Sequence, residues 1–401
     1  MDIKIQGLVR RNAETRFKKA RFYAAFRVSQ SPIRVSKKKG DDHIYLTETV
    51  KLRLTEDQNK LLREAMKLYI KAVNDIIQVA FTGTNIKKYS SKDIKANLPS
   101  AVRAQVARDA RSVLAKYRKN CHKAVLHNRK HPEKIHTRNA PVLKKPVCFW
   151  NNQNFKIQGS TLRFPLMESG KSTMQSVEMM LTKRQEELFK SKLGTLRIVE
   201  KRNELYAQIT YETNIPEPET GAAMGVDLGL KVPAVTVTDT GKTRFFGNGR
   251  KNKYLKRFYR YQRKKLQSKK KMSVVKRIEH KETRVFRDID HKVSRKIVDF
   301  AVENNVKVIK LERLTNIRST ARTSRKNERN LHTWSFYRLA CYIVYKARLL
   351  GIQVLYVNPK NTSKRCPSCG KLNKASDRKY KCSCGFHKHR DIVGAYNICC
   401  A

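Results

Sequence analysis

Three carboxylates lie far apart along this 401-residue chain, each in a segment able to carry it to one small patch. Asp227 sits inside Gly225-Val226-Asp227-Leu228-Gly229. Glu312 closes the mostly apolar run from Val306 to Leu311, and Asp391 opens Asp391-Ile392-Val393-Gly394-Ala395-Tyr396-Asn397-Ile398. Carboxylates that converge from separate segments can hold two divalent metals, one activating the attacking water and the other stabilising the leaving 3′ oxygen of a phosphodiester. Carboxylate and water ligands in octahedral geometry suit Mg²⁺, with Mn²⁺ as a second candidate. An Asp buried among apolar strand residues is costly unless paired or metal-bound. Glycines at 225 and 229 let another backbone come close. A strand-end Glu stands where open α/β sheets keep their sites, and an Asp at a helix start meets the favourable end of the helix dipole. Each signal alone describes an ordinary satisfied polar residue; their order, contexts and basic background carry the joint reading.

The second constellation is Cys366-Pro367-Ser368-Cys369 with Cys382-Ser383-Cys384, twelve residues apart. Two such knuckles make a four-thiolate zinc site, Cys366, Cys369, Cys382 and Cys384, with Gly370 and Gly385 leaving room for tight turns. The second pair is one residue closer than the usual C-x-x-C, so His387 or His389 stands as an alternative to one sulfur. A closed tetrahedral set leaves no open position, which makes the zinc structural, holding the loop just before Asp391. Cys399 and Cys400 read as terminal bystanders, and Cys121, Cys148 and Cys341 as unligated.

Lys and Arg number 89 against 33 Asp and Glu, a formal net charge of +56. That excess opposes compaction unless a polyanion neutralises it, and nucleic acid is the natural partner. No stretch approaches the ~20 apolar residues of a membrane span, and the charged N-terminus lacks a signal-peptide core, so a cytoplasmic, nucleoid-associated protein is expected. The charge is densest from Arg250 to Lys271, where twelve of twenty-two residues are Lys or Arg. Arg250, Lys251, Lys253, Lys256, Arg257, Arg260, Arg263 and Lys264 are the candidate phosphate contacts. Tyr254, Phe258, Tyr259 and Tyr261 interleave with them; most of these rings are expected to face the core.

Residues 1–44 read as a basic N-terminal extension. A strand at 48–54 precedes Thr55 and Gln58, a capping box that starts a helix. Leu62, Ala65, Tyr69, Val73, Ile76 and Ala80 form its apolar stripe. A second helix is expected over 101–118, then a loop over 119–145 in which His122, His127, His131 and His136 lack ligand spacing. Short strands at 147–150, 155–157, 161–164, 196–199 and 205–211 suggest a small β-barrel. The Pro- and Gly-containing segment 214–221 marks a boundary. Beyond it, strands at 224–228, 232–238, 243–247, 306–311 and 352–357 alternate with helices, an α/β sheet.

With these residues in place, the C-terminal half resembles TnpB, the RNA-guided endonuclease of bacterial insertion sequences, and equally the smallest type V CRISPR effectors. Gly225–Gly229 matches the first RuvC motif, Ile309-Lys310-Leu311-Glu312-Arg313-Leu314 the second, and His389-Arg390-Asp391 through Ile398 the third. Asn361 through Gly370 resembles the start of the family's zinc finger. The family often has Asn-Ala-Ala two to four residues after the third Asp; Val393, Gly394 and Ala395 stand there instead.

The resemblance implies a multidomain α+β protein. An RNase H-like (RuvC) α/β nuclease domain (222–360 and 386–401) would carry an inserted zinc finger (361–385). A β-barrel wedge domain (45–54 and 146–213) with a helical recognition insertion (55–145) would precede it. It also implies a guide RNA that pairs with one DNA strand, a short flanking DNA motif read by the N-terminal domains, and one site cutting the displaced and then the target strand. A monomer is favoured. Two other readings stand beside it. An RNase H-fold transposase or junction resolvase is opposed by the zinc finger directly before the third acid. A nuclease-silent guided DNA-binding repressor is opposed by the presence of all three acids.

Overall fold

The computed structural model describes residues 43–401, apart from 131, 134, 136, 218, 219, 315, 316, 318–324 and 376. The expected extension therefore lies outside the described residues as far as 42, and its last two residues already belong to a strand. The chain divides into two compact units, His43–Thr213 and, among the described residues, Asn214–Ala401.

The first unit opens with β1 (His43–Arg53), five residues earlier than expected, in which Ile44, Leu46, Val50 and Leu52 are buried in strict alternation. Glu48 takes the remaining core-facing place and is satisfied there by Arg184 Nη2 at 2.9 Å and Gln185 Nε2 at 3.3 Å. The capping box forms as expected: Thr55 and Gln58 exchange bonds of 3.3 and 3.2 Å and start α1 (Glu56–Phe81). Its stripe from Leu62 to Ile76 is buried, with Ala80 packed at the margin.

Helix α2 (Ser100–Lys130) runs twelve residues beyond the expected end at 118. No apolar stripe marks that stretch, but it lacks Gly and Pro, and its Ala, Lys and Arg residues are good helix formers. His122 and His127 thus lie on a helix rather than in a loop, while His131 and His136 fall outside the described residues.

Strands β2 (Val147–Trp150), β3 (Lys156–Gln158), β4 (Thr161–Glu168), β5 (Lys171–Met180), β6 (Leu193–Lys201) and β7 (Glu204–Asn214) join β1 in one sheet ordered β2-β6-β7-β1-β5-β4-β3. The sheet is curled: Trp150 of β2 donates its indole N–H to Pro165 O of β4 at 3.1 Å. A small β-barrel was expected; the strand order runs from β2 at one end to β3 at the other. Strand β5 and the short α3 (Lys183–Phe189) escaped the sequence reading. Most of β5 is polar, with Val177 and Met179 its buried residues, and its register with β4 is set by a two-residue turn, Ser169-Gly170, with φ of 48° and 80°.

The second unit runs β8 (Ala223–Asp227), β9 (Ala234–Thr238), β10 (Thr243–Phe246), α4 (Gly249–Ser268), α5 (Met272–Glu303), β11 (Val308–Glu312), α6 (Arg325–Thr333), α7 (Phe336–Arg348) and β12 (Gln353–Val357). It ends with β13 (Lys379–Lys381), β14 (His387–His389) and α8 (Arg390–Cys400). The sheet order is β10-β9-β8-β11-β12. β8, β9 and β10 form an antiparallel meander, and β11 lies parallel to both β8 and β12. Met224, Val226, Ile309 and Leu311 pack on one face against Val293 and Ile297 of α5 and Leu339 and Ile343 of α7. On the other face Val235 and Val237 meet Ala395 of α8. A Cβ on Gly225 would stand 2.0 Å from Ala395 O and 2.4 Å from Cys399 N, so α8 can lie on β8 only because residue 225 is glycine. Cys399, expected as a bystander, is buried at this contact. No described helix is long and apolar enough to cross a membrane.

Candidate nuclease site and zinc finger

Register carries two of the acids to one end of the sheet. Leu311 pairs with Val226 across the parallel β11/β8 ladder, so the next residues, Glu312 and Asp227, end their strands side by side. Helix α8 brings the third: Asp391 lies in its first turn, capped by His389, whose Nδ1 accepts from Asp391 N at 3.3 Å. The helix runs so close to β8 that a Cβ on Gly394 would stand 2.9 Å from Asp227 Oδ2. The departure from the family pattern thus falls against the first acid, where a hydrogen leaves the carboxylate room.

The site is electrostatically tense. Burial pushes the Asp227 carboxyl up to about 8, and the charges of Glu312 and Asp391 add to the rise against the pull of Arg390 and Arg378. Glu312 is also raised by burial, against a hydrogen bond from Thr362 Oγ1. Two carboxyls whose charged forms burial disfavours are what a cation relieves. The residues fit the Mg²⁺ expected of them in donor type and charge.

Two partners of these acids, Arg378 and Thr362, and the Asn397 that holds the loop of one of them, escaped the sequence reading. Arg378, just before β13, bonds both oxygens of Asp391, at 2.5 Å to Oδ2. Thr362 bonds Glu312, and Asn397 of α8 holds the loop carrying Thr362 by donating to Thr362 O at 2.6 Å and Arg365 O at 2.8 Å. An Arg in so basic a chain gives no signal of its own. Asn397 is six residues after Asp391, a spacing on the helix that puts it away from the acid and towards the loop.

The four expected zinc ligands converge: among the described residues, the ligand atoms of Cys366, Cys369, Cys382 and Cys384 all lie within 4.8 Å of one another. Cys366 and Cys384 sulfurs are 3.7 Å apart and Cys369 and Cys382 sulfurs 3.4 Å, close to the ~3.8 Å edge of a tetrahedron with Zn–S bonds of ~2.3 Å. Cys384 completes the set despite its short spacing. His389 is occupied as the cap of α8 and packs edge-on to Phe245. Tyr380, Cys366 and Val393 share a small buried core with Phe386, which fastens the finger to α8.

The basic segment forms α4, and the structure divides its candidate contacts. Lys256 Nζ donates to Glu282 Oε1 at 2.8 Å, and Arg263 bonds the other oxygen. Burial pulls the Glu282 carboxyl up, but these two bonds outweigh it and leave the group below its usual range. Lys256 and Arg263 are therefore committed to α5. Lys253 is partly covered; Arg250, Lys251, Arg257, Arg260 and Lys264 are exposed. The expectation for the rings fails: Tyr259 is buried, but Tyr254, Phe258 and Tyr261 are 61%, 42% and 63% exposed. Helical phase explains the split, since Tyr259 shares the α5-facing side with Lys256 and Arg263 while the other three lie opposite.

Comparison with known proteins agrees with this architecture. Residues 206–318 match the family model described as "Probable transposase", and residues 336–398 the one described as "Cas12f1-like, TNB domain". A TnpB-like protein of Methanocaldococcus jannaschii is 41% identical over 121 residues, 29% of this chain and 43% of its own length. A CRISPR-associated endodeoxyribonuclease Cas12f1 of Sulfoacidibacillus thermotolerans is 30% identical over 222 residues, 50% of each chain. The chain thus spans about half the length of these relatives. A solved Cas12f1–sgRNA–target DNA complex shares the fold with a TM-score of 0.59, at 16% identity, over 85% of this chain and 81% of that one. The fold is mixed α/β and is shared with that complex's protein chain. Over the matched stretches the chain is similar to TnpB-like proteins and to Cas12f1 endodeoxyribonucleases.

Proposed function

We propose that the protein is an RNA-guided DNA endonuclease whose second unit is an RNase H-like (RuvC) domain cutting DNA at Asp227, Glu312 and Asp391. The observation that carries this is the meeting of β8, β11 and α8, which brings one acid from each to the same end of the sheet. Mg²⁺ held by the three carboxylates would supply an activated water and stabilise the leaving oxygen. The chain's own residues do the positioning. Thr362 orients Glu312, Arg378 holds Asp391 and partly neutralises the site, and the zinc finger fixes Arg378. Arg378 would have to yield at least one Asp391 oxygen for that carboxylate to serve as a metal ligand.

A guide RNA supplies sequence recognition by pairing with one DNA strand, while the protein grips backbone and reads a short flanking motif. The curled sheet and helices of the first unit are proposed as the wedge and recognition domains. The test is replacement of Asp227 by Ala. Cleavage of DNA by the protein with its co-purifying RNA should vanish while DNA binding persists. Unchanged cutting removes the catalytic assignment, and cutting that needs no RNA turns the reading to a transposase or resolvase.

A further inference from the structure

The exposed rings of α4 are not accounted for by the proposed phosphate contacts. Tyr254, Phe258, Tyr261 and Lys265 fall within a 60° sector at 100° per residue, opposite the side that packs on α5. The rings of Tyr254 and Phe258 lie 6.5 Å apart at 23° to each other, a near-parallel pair facing solvent. Arg250, Arg257 and Lys264 flank the sector and are exposed. The helix contains no acidic residue. Large aromatics are costly on a surface unless something covers them, and their cationic border selects a polyanion over an apolar protein face.

The stripe also has a direction. Gly249 N donates to Lys231 O at 3.0 Å, and Lys231 pairs with Asp377 at 2.8 Å, next to the Arg378 that holds Asp391. Lys253 is depressed by burial and then by the charges of Lys231, Arg378 and Arg257, so the second turn of α4 feels the Arg378 that holds Asp391. From Tyr254 to Tyr261 the helix rises about 10 Å, the length of roughly three nucleotides at a ~3.4 Å spacing.

We infer that the Tyr254–Phe258–Tyr261 face of α4 is a stacking track that binds the bases of single-stranded DNA and leads that strand to the carboxylates. The inference rests on the nuclease reading and names the form in which the substrate is delivered. In a duplex the base faces are covered and only phosphates are presented, for which cations suffice; ring-shaped platforms serve only when the bases are free.

The test uses the full chain with its co-purifying RNA, in the Asp227→Ala background so that cleavage does not interfere. Affinity is measured for a fluorescent single-stranded oligonucleotide carrying 2-aminopurine and for the same sequence as a duplex. The triple variant Tyr254→Ala, Phe258→Ala, Tyr261→Ala should weaken single-strand binding at least tenfold and abolish quenching of 2-aminopurine, with duplex affinity within about twofold. The ring-keeping variant Tyr254→Phe, Phe258→Tyr, Tyr261→Phe should retain both signals and controls for folding. Equal losses on the two DNAs, no loss on either, or a loss of bound RNA with single-strand affinity intact overturns the inference. Because the readout is binding, it is separable from the nuclease reading: a wild-type protein that never cuts with Mg²⁺ sinks the latter without altering these affinities.

Discussion

Asp227 shows how a single carboxyl can link pH, metal and stability. Its pKa is pushed to about 8 from an ordinary 3.8 by burial first and by Glu312 and Asp391 second. A folded-state value above the unfolded one means that the stabilising contribution is complete below about pH 4 and lost as pH rises through about 8. Metal-free protein should therefore gain from Asp227→Asn as pH rises, with the difference in Tm over wild type widening between about pH 5 and 8. The full shift corresponds to something on the order of 5 kcal/mol at 1.36 kcal/mol per pH unit. Mg²⁺ needs the ionised form, so its stabilisation of wild type should grow over the same range and be absent in the variant. Thermal melts with and without Mg²⁺ decide this, and an equal Mg²⁺ shift in both proteins at pH 8 contradicts it. The acids themselves were legible because each is an anomaly of type against context: an Asp among buried strand residues, a Glu ending an apolar run, an Asp opening a helix. Arg378 and Thr362 were not, because their roles arise from loops folded back by the finger, and no local pattern records such a contact.

The elements divide the same way between what periodicity reveals and what only packing decides. Alternation and the capping box located β1 and α1, and apolar runs located β8, β9, β11 and β12 to within a few residues. The end of α2 and the whole of β5 were missed because their residues are mostly exposed and carry no apolar period. The rings of α4 were misjudged because the Glu282 pair, and not the aromatic side chains, selects the face turned to α5. The finger is the element where a small change should travel furthest. Its core of Cys366, Tyr380 and Val393 is shared with α8, and Arg378 lies between its two cysteine pairs. Structural zinc sites supply folding free energy directly. Cys366→Ser should abolish zinc content, measured by elemental analysis, and reduce cleavage at least as much as replacement of Arg378 by Ala. Far-UV circular dichroism should change little, since the two sheets and long helices have cores of their own. Zinc-free protein that cuts at the wild-type rate would show that the finger does not position Asp391.

For the whole molecule the governing quantity is +56. Such a charge repels itself when unbound and would be neutralised by the proposed nucleic-acid partner, so added salt should have opposite effects on the two states. Freed of nucleic acid, the chain should gain thermal stability as salt rises from about 50 to 500 mM; its affinity for DNA should fall with a slope of about −0.9 per phosphate neutralised. The structure adds a sharper expectation, because it separates cations that are free to meet phosphate from cations already paired. Arg257→Gln and Arg260→Gln lie on the exposed side of α4, and each should reduce the magnitude of the salt slope by about one while leaving Tm unchanged. Lys256→Gln and Arg263→Gln should leave the slope as it is and lower Tm, since each strips a partner from the largely buried Glu282 and leaves that carboxylate poorly compensated. A reduced slope for the second pair, measured by titration of DNA at several salt concentrations, would mean that Glu282 releases its partners when the polyanion binds, and the division of α4 into a structural and a binding face would fail.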